Sequence, residues 1–437
     1  MRVLLIGSGG RESALSWKIA QSSMLESLFI APGNAGTKQY GKNVDLNVLD
    51  FDAVKTFVID HKIEMVIVGP EEPLVMGIAD FFKKDPSLSS VALIGPTQAG
   101  AALEGSKTFA KEFMQRHKIP TAKYGSFTLQ TLREGIEFLR NMKAPYVLKA
   151  DGLAAGKGVL IIEDLKTAED ELTQILLDEK FGSAGQKVVI EQFLKGIELS
   201  VFVVTDGISF KLLPEAKDYK RIGEQDQGEN TGGMGAVSPV PFADAGFMDK
   251  VLNQVIIPTV KGIKKEQIDY RGFIFFGLIN VKGDPYVIEY NCRMGDPETQ
   301  PILIRLKSDL LALLLAATEP ETSNLAKTEL EWDRRVALGV VMAAEHYPGT
   351  PRTGDVIHGL DIDAPPDSKL FHAGTRLEED QVLTSGGRVL CATALGNSVA
   401  EAQNTAYTLA DQINWLGEFH RSDIGWRAIE REHLSRL

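Results

Sequence analysis

Four short apolar runs near the N-terminus constrain the fold of this chain more than any other feature. "VLLIG" (3–7), "SLFIAPG" (27–33), "EMVIVGP" (64–70) and "VALIGP" (91–96) are separated by helix-length stretches, and each runs into Gly or Pro. Unbroken Val/Ile/Leu runs of this kind suit strands buried on both faces, as in a parallel sheet covered by helices. The spacing predicts a doubly wound α/β domain. Its loops "GSGGRE", "APGNAG" and "GPEEPL" would follow strand C-termini, where such sheets bind ligands.

The 437 residues exceed what one hydrophobic core can serve, so about three domains are expected. After the first 104 residues, "LEGSKTFAKEFMQRHKIPTA" reads as an amphipathic helix stopped before Pro120. "TLREGIEFLRNM" reads as a second helix, with Thr131 and Glu134 in capping-box spacing. "YVLKA" is a strand entering the glycine-rich "DGLAAGKGVLII", and "KVVIEQFLKGIELSVFVV" is strand, loop, strand. "GFIFFGLINVKGDPYVIEYNCR" predicts a hairpin turned at Lys282-Gly283-Asp284. The polar "TEPETSNLAKTELEWD" reads as a linker to three further strands and a helix opened by Ser398 and Glu401. The expected architecture is a mixed α/β and α+β multidomain chain. Residues 1–104 form the doubly wound domain, 105–326 a central domain with a small subdomain at about 122–193, and 327–437 a C-terminal β/α domain.

Composition narrows the function classes. With 47 basic and 59 acidic residues the net charge is −12, which argues against nonspecific binding to nucleic acid or an acidic membrane. Cys292 and Cys391 form neither a disulfide framework nor a metal spacing, which fits a reducing compartment and favours the cytoplasm. The opening "MRVLLIGSGGRES" reads as strand and turn rather than a signal peptide, and no run reaches the roughly 18 apolar residues of a membrane span.

Three motifs carry chemistry. "GSGGRES" keeps Gly7 and Gly9 of the dinucleotide fingerprint but places Glu12 where the third glycine belongs. A phosphate at the helix N-terminus, a plain tight turn and a dinucleotide are the three readings, and "IAPGNAG" lacks the acidic residue the last requires. "KADGLAAGKGV" (149–159) is not a Walker A loop, because Gly156-Lys157-Gly158 leads into "VLII" and not into a helix. It reads as a hairpin whose glycines admit phosphate oxygens, with Lys149 and Lys157 supplying charge; a solvated hairpin tip is the alternative.

In the third motif, "VIEYNCRMGDPETQ" (287–300), strand alternation places Glu289, Asn291 and Arg293 on one face and Ile288, Tyr290 and Cys292 on the other. A carboxylate and an amide oxygen suit Mg²⁺ completed by water and substrate phosphates, and the arginine would offset charge on a transferred phosphoryl group. A polar outer face of an edge strand is the other reading. Asp296 and Glu298 add polar density just beyond the strand. Together with the acids of "VIEQF" and "KGIEL", these motifs describe ATP held between two β-structures, as in a ligase.

"GPEEPL", "LEGSK", "KADGLAAGKGV", "NTGGMGA", "VIEYNCRMGDPETQP", "GVVMAA" and "GGRVLCATALG" also stand in the order and spacing of a known family. Over essentially its whole length the chain resembles the phosphoribosylamine–glycine ligase (glycinamide ribonucleotide synthetase) family of ATP-grasp enzymes. The resemblance implies ligation of glycine to 5-phosphoribosylamine with ATP converted to ADP and phosphate, through glycyl phosphate, as the second step of purine synthesis. It implies Mg²⁺ or Mn²⁺ as cofactor, small-molecule substrates only, and hand-off of product to the next purine-pathway enzyme. By the same resemblance, Lys107, Lys149 and Lys157 look like ATP-phosphate contacts, covered by the hairpin backbone at Gly152, Gly156 and Gly158. Glu191 and Glu198 look like the groups meeting the adenine edge and ribose hydroxyls. Glu289 and Asn291 match the metal ligands; Arg293, with Lys157, is expected to act on the transferring phosphoryl. Gly9, Gly10, Asn34 and Glu71 resemble the phosphoribosylamine side of the cleft, and Asp218, Lys220, Arg221 and Asp296 further substrate-side groups. The chain departs from many relatives at Ser13, where they carry His, and at Tyr219, within a segment that is D-H-K-R in them.

Overall fold

A computed structural model of the chain describes residues 1–153, 158–177 and 182–434. Five strands, β1 (Arg2–Gly7), β2 (Ser27–Pro32), β3 (Lys42–Asn43), β4 (Met65–Val68) and β5 (Ala92–Ile94), run parallel in the order β3-β2-β1-β4-β5. Val3, Leu4, Leu5 and Ile6 are all fully buried, because helices cover both faces. Each such side chain contributes roughly 1.5–3 kcal/mol of transfer free energy. The order reverses at β1, which opens a crevice beyond its C-terminal end, at Gly7.

A second sheet, in the order β6-β9-β7-β8, is antiparallel: β6 (Tyr124–Thr128), β7 (Tyr146–Ala150), β8 (Val159–Ile162) and β9 (Lys187–Gln192). The helices Leu132–Arg140 and Leu165–Leu177 bury Leu139, Leu172 and Ile175 against Leu148 and Ile190 in a core of its own. The first helix does not open on the expected capping box: the Thr131 hydroxyl instead accepts from Thr128 N at 2.9 Å, in a short helical turn that precedes it.

The remaining chain builds one continuous eight-stranded sheet and two ribbons. In chain order the strands are β10 (Ile197–Thr205), β11 (Phe210–Asp218), β12 (Arg221–Gly223), β13 (Gln227–Asn230), β14 (Gly235–Ser238), β15 (Gly272–Val281), β16 (Asp284–Asn291), β17 (Val336–Ala343), β18 (Ser368–His372), β19 (Thr375–Glu378), β20 (Gln381–Thr384) and β21 (Arg388–Gly396). The sheet runs β16-β15-β10-β11-β14-β17-β21-β18, while β12-β13 and β19-β20 stand apart as ribbons. The β15–β16 hairpin turns at Lys282 and Gly283, with φ of 54° and 91°, the left-handed pair that a two-residue turn requires. The stretch expected to be a linker is folded instead: Leu325 is fully buried and Lys211 Nζ donates to the Ala326 carbonyl at 2.8 Å. Among the described residues no helix is long and apolar enough to cross a membrane.

Candidate active site

The β10–β11–β15–β16 end of the large sheet presents a pocket lined by Glu198, Ser200, Asp218, Lys220, Ile288 and Glu289. Two irregularities set which side chains face it. An extra residue in β11 between the Leu213 and Ala216 pairings brings Asp218 onto the face of Ser200. In β16, Gly277 pairs with Glu289 and Leu278 with Val287, so Ile288 is the bulged residue. The simple alternation expected for 288–293 is therefore corrected: Ile288 joins Glu289 on the pocket side, while Val287, Tyr290 and Cys292 enter the core.

Behind the pocket wall lies a compact charge cluster. Glu191 is 4% exposed, and its two carboxylate oxygens pair with Lys149 Nζ and Lys111 Nζ, each at 2.9 Å. Burial pushes the Glu191 carboxyl up, but the two ammonium groups outweigh it and hold the group below its ordinary range. Burial also lowers Lys111 to about 8. Lys107 Nζ donates to the Gly152 carbonyl at 2.8 Å; burial lowers this lysine, and the nearby Glu289 carboxylate opposes that in part. Lys107, Lys149 and Glu289 are thus brought together, and Glu198 pairs with Lys220 at 3.1 Å beside them. The expectation that the Glu191 side chain meets an adenine edge is corrected, because the buried carboxylate faces Lys111 and Lys149 as an ion-pair partner, even though its Oε1 makes no hydrogen bond among the described residues. Gly156 and Lys157 lie outside the described residues; Gly152 and Gly158 flank them.

Glu289 and Asn291 offer a cation one carboxylate and one amide. Asn291 is 8% exposed, and its Nδ2 has no hydrogen-bond partner among the described residues. The two ends of an amide exchange by a flip, so that buried position equally presents an oxygen. An unpartnered amide beside a carboxylate fits a hard cation that takes its other ligands from water and phosphate.

Arg293 departs from this face, because β16 ends at Asn291. Its guanidinium pairs with Glu104 Oε1 at 2.8 Å and Glu71 Oε2 at 3.2 Å, and it donates to the Met294 carbonyl at 3.3 Å. Burial disfavours the arginine's charge, and Glu104 and Glu71 more than restore it. Glu104 also accepts from Cys292 N at 2.7 Å, which fixes the turn out of the strand. The expectation that Arg293 projects beside Glu289 is corrected: the two acids hold it toward the N-terminal crevice.

That crevice is shaped by Glu12. Its carboxylate accepts from Gly9 N at 2.7 Å and Arg11 Nε at 2.6 Å. A Cβ at Gly69 would lie 2.1 Å from Glu12 Oε1, and one at Gly7, whose φ is +128°, 2.4 Å from Glu12 Cγ. The acid therefore fills the space where a dinucleotide pyrophosphate would approach the fingerprint, which excludes that reading. Gly9 and Gly10 stand against Asp296: a Cβ there would lie 3.4 and 3.3 Å from its carboxylate oxygens. Asp296 accepts from Gln300 Nε2 at 3.1 Å and pairs with Arg388 at 3.3 Å; Arg388 also donates to the Asp296 and Gly232 carbonyls.

Two expected substrate ligands are turned elsewhere. The Asn34 amide donates to the Ser8 and His372 carbonyls, and its oxygen accepts from Gly36 N and Thr37 N, so it braces the loop and has nothing left for a ligand. Arg221 donates to the Gly228 carbonyl across its own ribbon, away from Asp218 and Lys220. Sequence reasoning missed Lys111, Ser200, Glu104 and Arg388. Lys111 stands four residues after Lys107 on one helix, and Ser200 two after Glu198 on one strand, so period alone could have found them. Nothing local marks Glu104 or Arg388.

Comparison with known proteins agrees along the chain. Residues 1–104 match the N domain of phosphoribosylglycinamide synthetase, 105–299 its ATP-grasp (A) domain and 337–427 its C domain. The chain is 51% identical over 436 residues to phosphoribosylamine–glycine ligase of Escherichia coli (strain K12), covering 99% of this chain and 100% of that protein. It is likewise 51% identical over 435 residues to the Vibrio cholerae protein of the same name, covering 99% of each. A crystal structure of phosphoribosylamine–glycine ligase from Thermotoga maritima superposes with a TM-score of 0.82 at 34% identity, covering 97% of this chain and 100% of that one. Biotin carboxylase from Campylobacter jejuni shares the fold alone, with a TM-score of 0.73 at 15% identity over 96% of this chain and 92% of that one. A bulged metal-suited strand, a lysine cluster behind it and full-length identity of this order place the chain in the phosphoribosylamine–glycine ligase family of ATP-grasp enzymes.

Proposed function

We propose that this chain joins glycine to 5-phosphoribosylamine, converting ATP to ADP and phosphate, as the second step of purine synthesis. The observation that carries the reading is a pocket lined by Glu198, Lys220 and Glu289, with Lys149 donating to the carbonyl of the lining residue Ile288 and Lys107 close to both Lys149 and Glu289, in a chain 51% identical to ligases of that name. A carboxylate is a poor electrophile, so glycine is first phosphorylated; the amine of phosphoribosylamine then attacks the acyl phosphate and expels phosphate. The lysines hold the ATP phosphates, and Glu198 beside Lys220 is placed for the ribose hydroxyls. Glu289 and Asn291 would hold Mg²⁺ or Mn²⁺, which when bound would supply positive charge to the transferring phosphoryl group. Water would hydrolyse the acyl phosphate, so the β6–β9 sheet is assigned as a closing cover, with residues 105–326 as the nucleotide domain, 1–104 the phosphoribosylamine side and 327–437 the C-terminal domain.

On the crevice side, Gly9, Gly10, Glu71 and Asp296 are placed to shape the amine substrate's seat, with Asn34 bracing it. Catalysis of this kind belongs in the cytoplasm, with small molecules as its reactants and the next enzyme of the pathway as recipient of the product. The test is phosphate release from ATP and Mg²⁺ with glycine and phosphoribosylamine omitted in turn. Release that requires both is expected; release indifferent to both would overturn the ligase assignment.

A further inference from the structure

Ser200 and Glu298 form a buried pair at the pocket that the ATP-side assignments leave unused. Ser200 shares with Glu198 the face of β10 that lines the pocket, and its Oγ donates to Glu298 Oε1 at 2.9 Å. Glu298 is 4% exposed and stands at the start of the helix Thr299–Arg305. With its proton directed at Glu298, the Ser200 oxygen is left as an acceptor toward the pocket. The charged groups facing Glu298 are Asp218 and Lys220 from the end of β11, Arg293 from the turn after β16 and Arg388 from β21. Asp218 has Lys220 as its close counter-charge, whereas Glu298 has a neutral hydroxyl. Burial, with Asp218 adding to it, pushes the Glu298 carboxyl up to about 7, where a base works best at neutral pH.

We propose that Ser200 and Glu298 form a proton relay that receives the proton released when the amine attacks the acyl phosphate. This rests on the amide-ligase reading above. In the step, the nitrogen lone pair forms the C–N bond to the carbonyl carbon. The bond from that carbon to the phosphate oxygen breaks, its electron pair leaving with phosphate. The N–H proton passes to Ser200 Oγ while the hydroxyl's own proton passes to Glu298 Oε1. Ser200 is the member that meets substrate; Glu298 acts through it.

The test uses the full chain with Glu298→Gln, Ser200→Ala and Glu298→Asp. Two outputs are followed with ATP, Mg²⁺ and glycine: ligation to phosphoribosylamine across pH, and trapping of the acyl phosphate by hydroxylamine, whose neutral nitrogen needs little help from a base. Wild type is expected to show kcat for ligation rising through about pH 7. Glu298→Gln and Ser200→Ala should each lose about 10²-fold in that kcat and lose the rise, with hydroxamate still formed at the wild-type rate. Glu298→Asp should regain part of both. A rise that persists in Glu298→Gln, or hydroxamate formation falling in parallel with ligation, overturns the relay. A wild-type chain that makes neither product overturns the ligase reading itself, and the relay with it.

Discussion

Arg293 illustrates how charge is settled at single residues in this molecule. Its side chain is 18% exposed, and Glu104, at 7%, is its better-buried partner. Removing one member of a buried ion pair strands the other, at about 3–5 kcal/mol. Glu104→Ala is therefore expected to destabilise the chain by that amount in urea unfolding, more than Glu71→Ala, since Glu71 is 33% exposed. Equal effects would show that the guanidinium leans on neither acid in particular. Glu289 behaves differently, since among the described residues no ion pair ties it to Lys107 or Lys220, the two lysines that sense its charge. Glu289→Ala should cost little stability yet lower turnover by at least about 10²-fold, as expected when a group acting on developing charge is lost. Near-normal turnover in saturating Mg²⁺ would remove Glu289 from the metal site.

At the level of strands and helices, pattern was legible where it was local. The Val/Ile/Leu runs gave the parallel sheet and the Lys282-Gly283 turn gave the β15–β16 hairpin, because burial on two faces and a left-handed turn each need particular residues in sequence. The bulge at Ile288 was not legible, since nothing in "VIEYN" marks an extra residue and one insertion moves every later side chain to the other face. Nor were the partners of Arg293, which lie 189 and 222 positions away. The end of β18 gives a prediction of its own. His372 N donates to Ser13 Oγ, and the His372 carbonyl accepts from Asn34, so this residue seats β18 on the first domain. Burial, with Lys369 adding to it, lowers the imidazole to about 4 from an ordinary 6.5. Because the folded value lies below the unfolded one, the stability tied to the neutral ring is complete above pH 6.5 and is lost as pH falls toward 4. Wild type should therefore lose about 2 kcal/mol more than His372→Asn between pH 7 and pH 5, read from urea midpoints. Parallel losses would mean that the ring takes up its proton in place.

Across the whole molecule, residues 291–300 are where the three parts of the chain meet. Arg11, Glu71 and Glu104 reach them from the first domain and its border, and Arg388 reaches them from β21. If, as proposed above, the amine and the acyl phosphate are bound by different domains, they react only when those domains are held in register, so the fastening of this segment would serve catalysis as well as structure. Arg388 is the fastening from the C-terminal side, with one guanidinium nitrogen on the carbonyls of Gly232 and Asp296 and another 3.3 Å from the Asp296 carboxylate. Lysine carries the same charge but cannot reproduce a planar fork. Arg388→Lys should thus lose about 1.5–3 kcal/mol of interaction, seen as roughly a 10- to 100-fold fall in kcat/KM for phosphoribosylamine. ATP affinity, measured by calorimetry, should stay at the wild-type value, because among the described residues Lys107 and Lys149 bond to Gly152 and Glu191, outside this network. If ATP affinity and thermal stability fell together with kcat/KM, Arg388 would be fastening the fold at large, and the register of the two substrates would have to be set by the contacts of Arg11 and Glu71 alone.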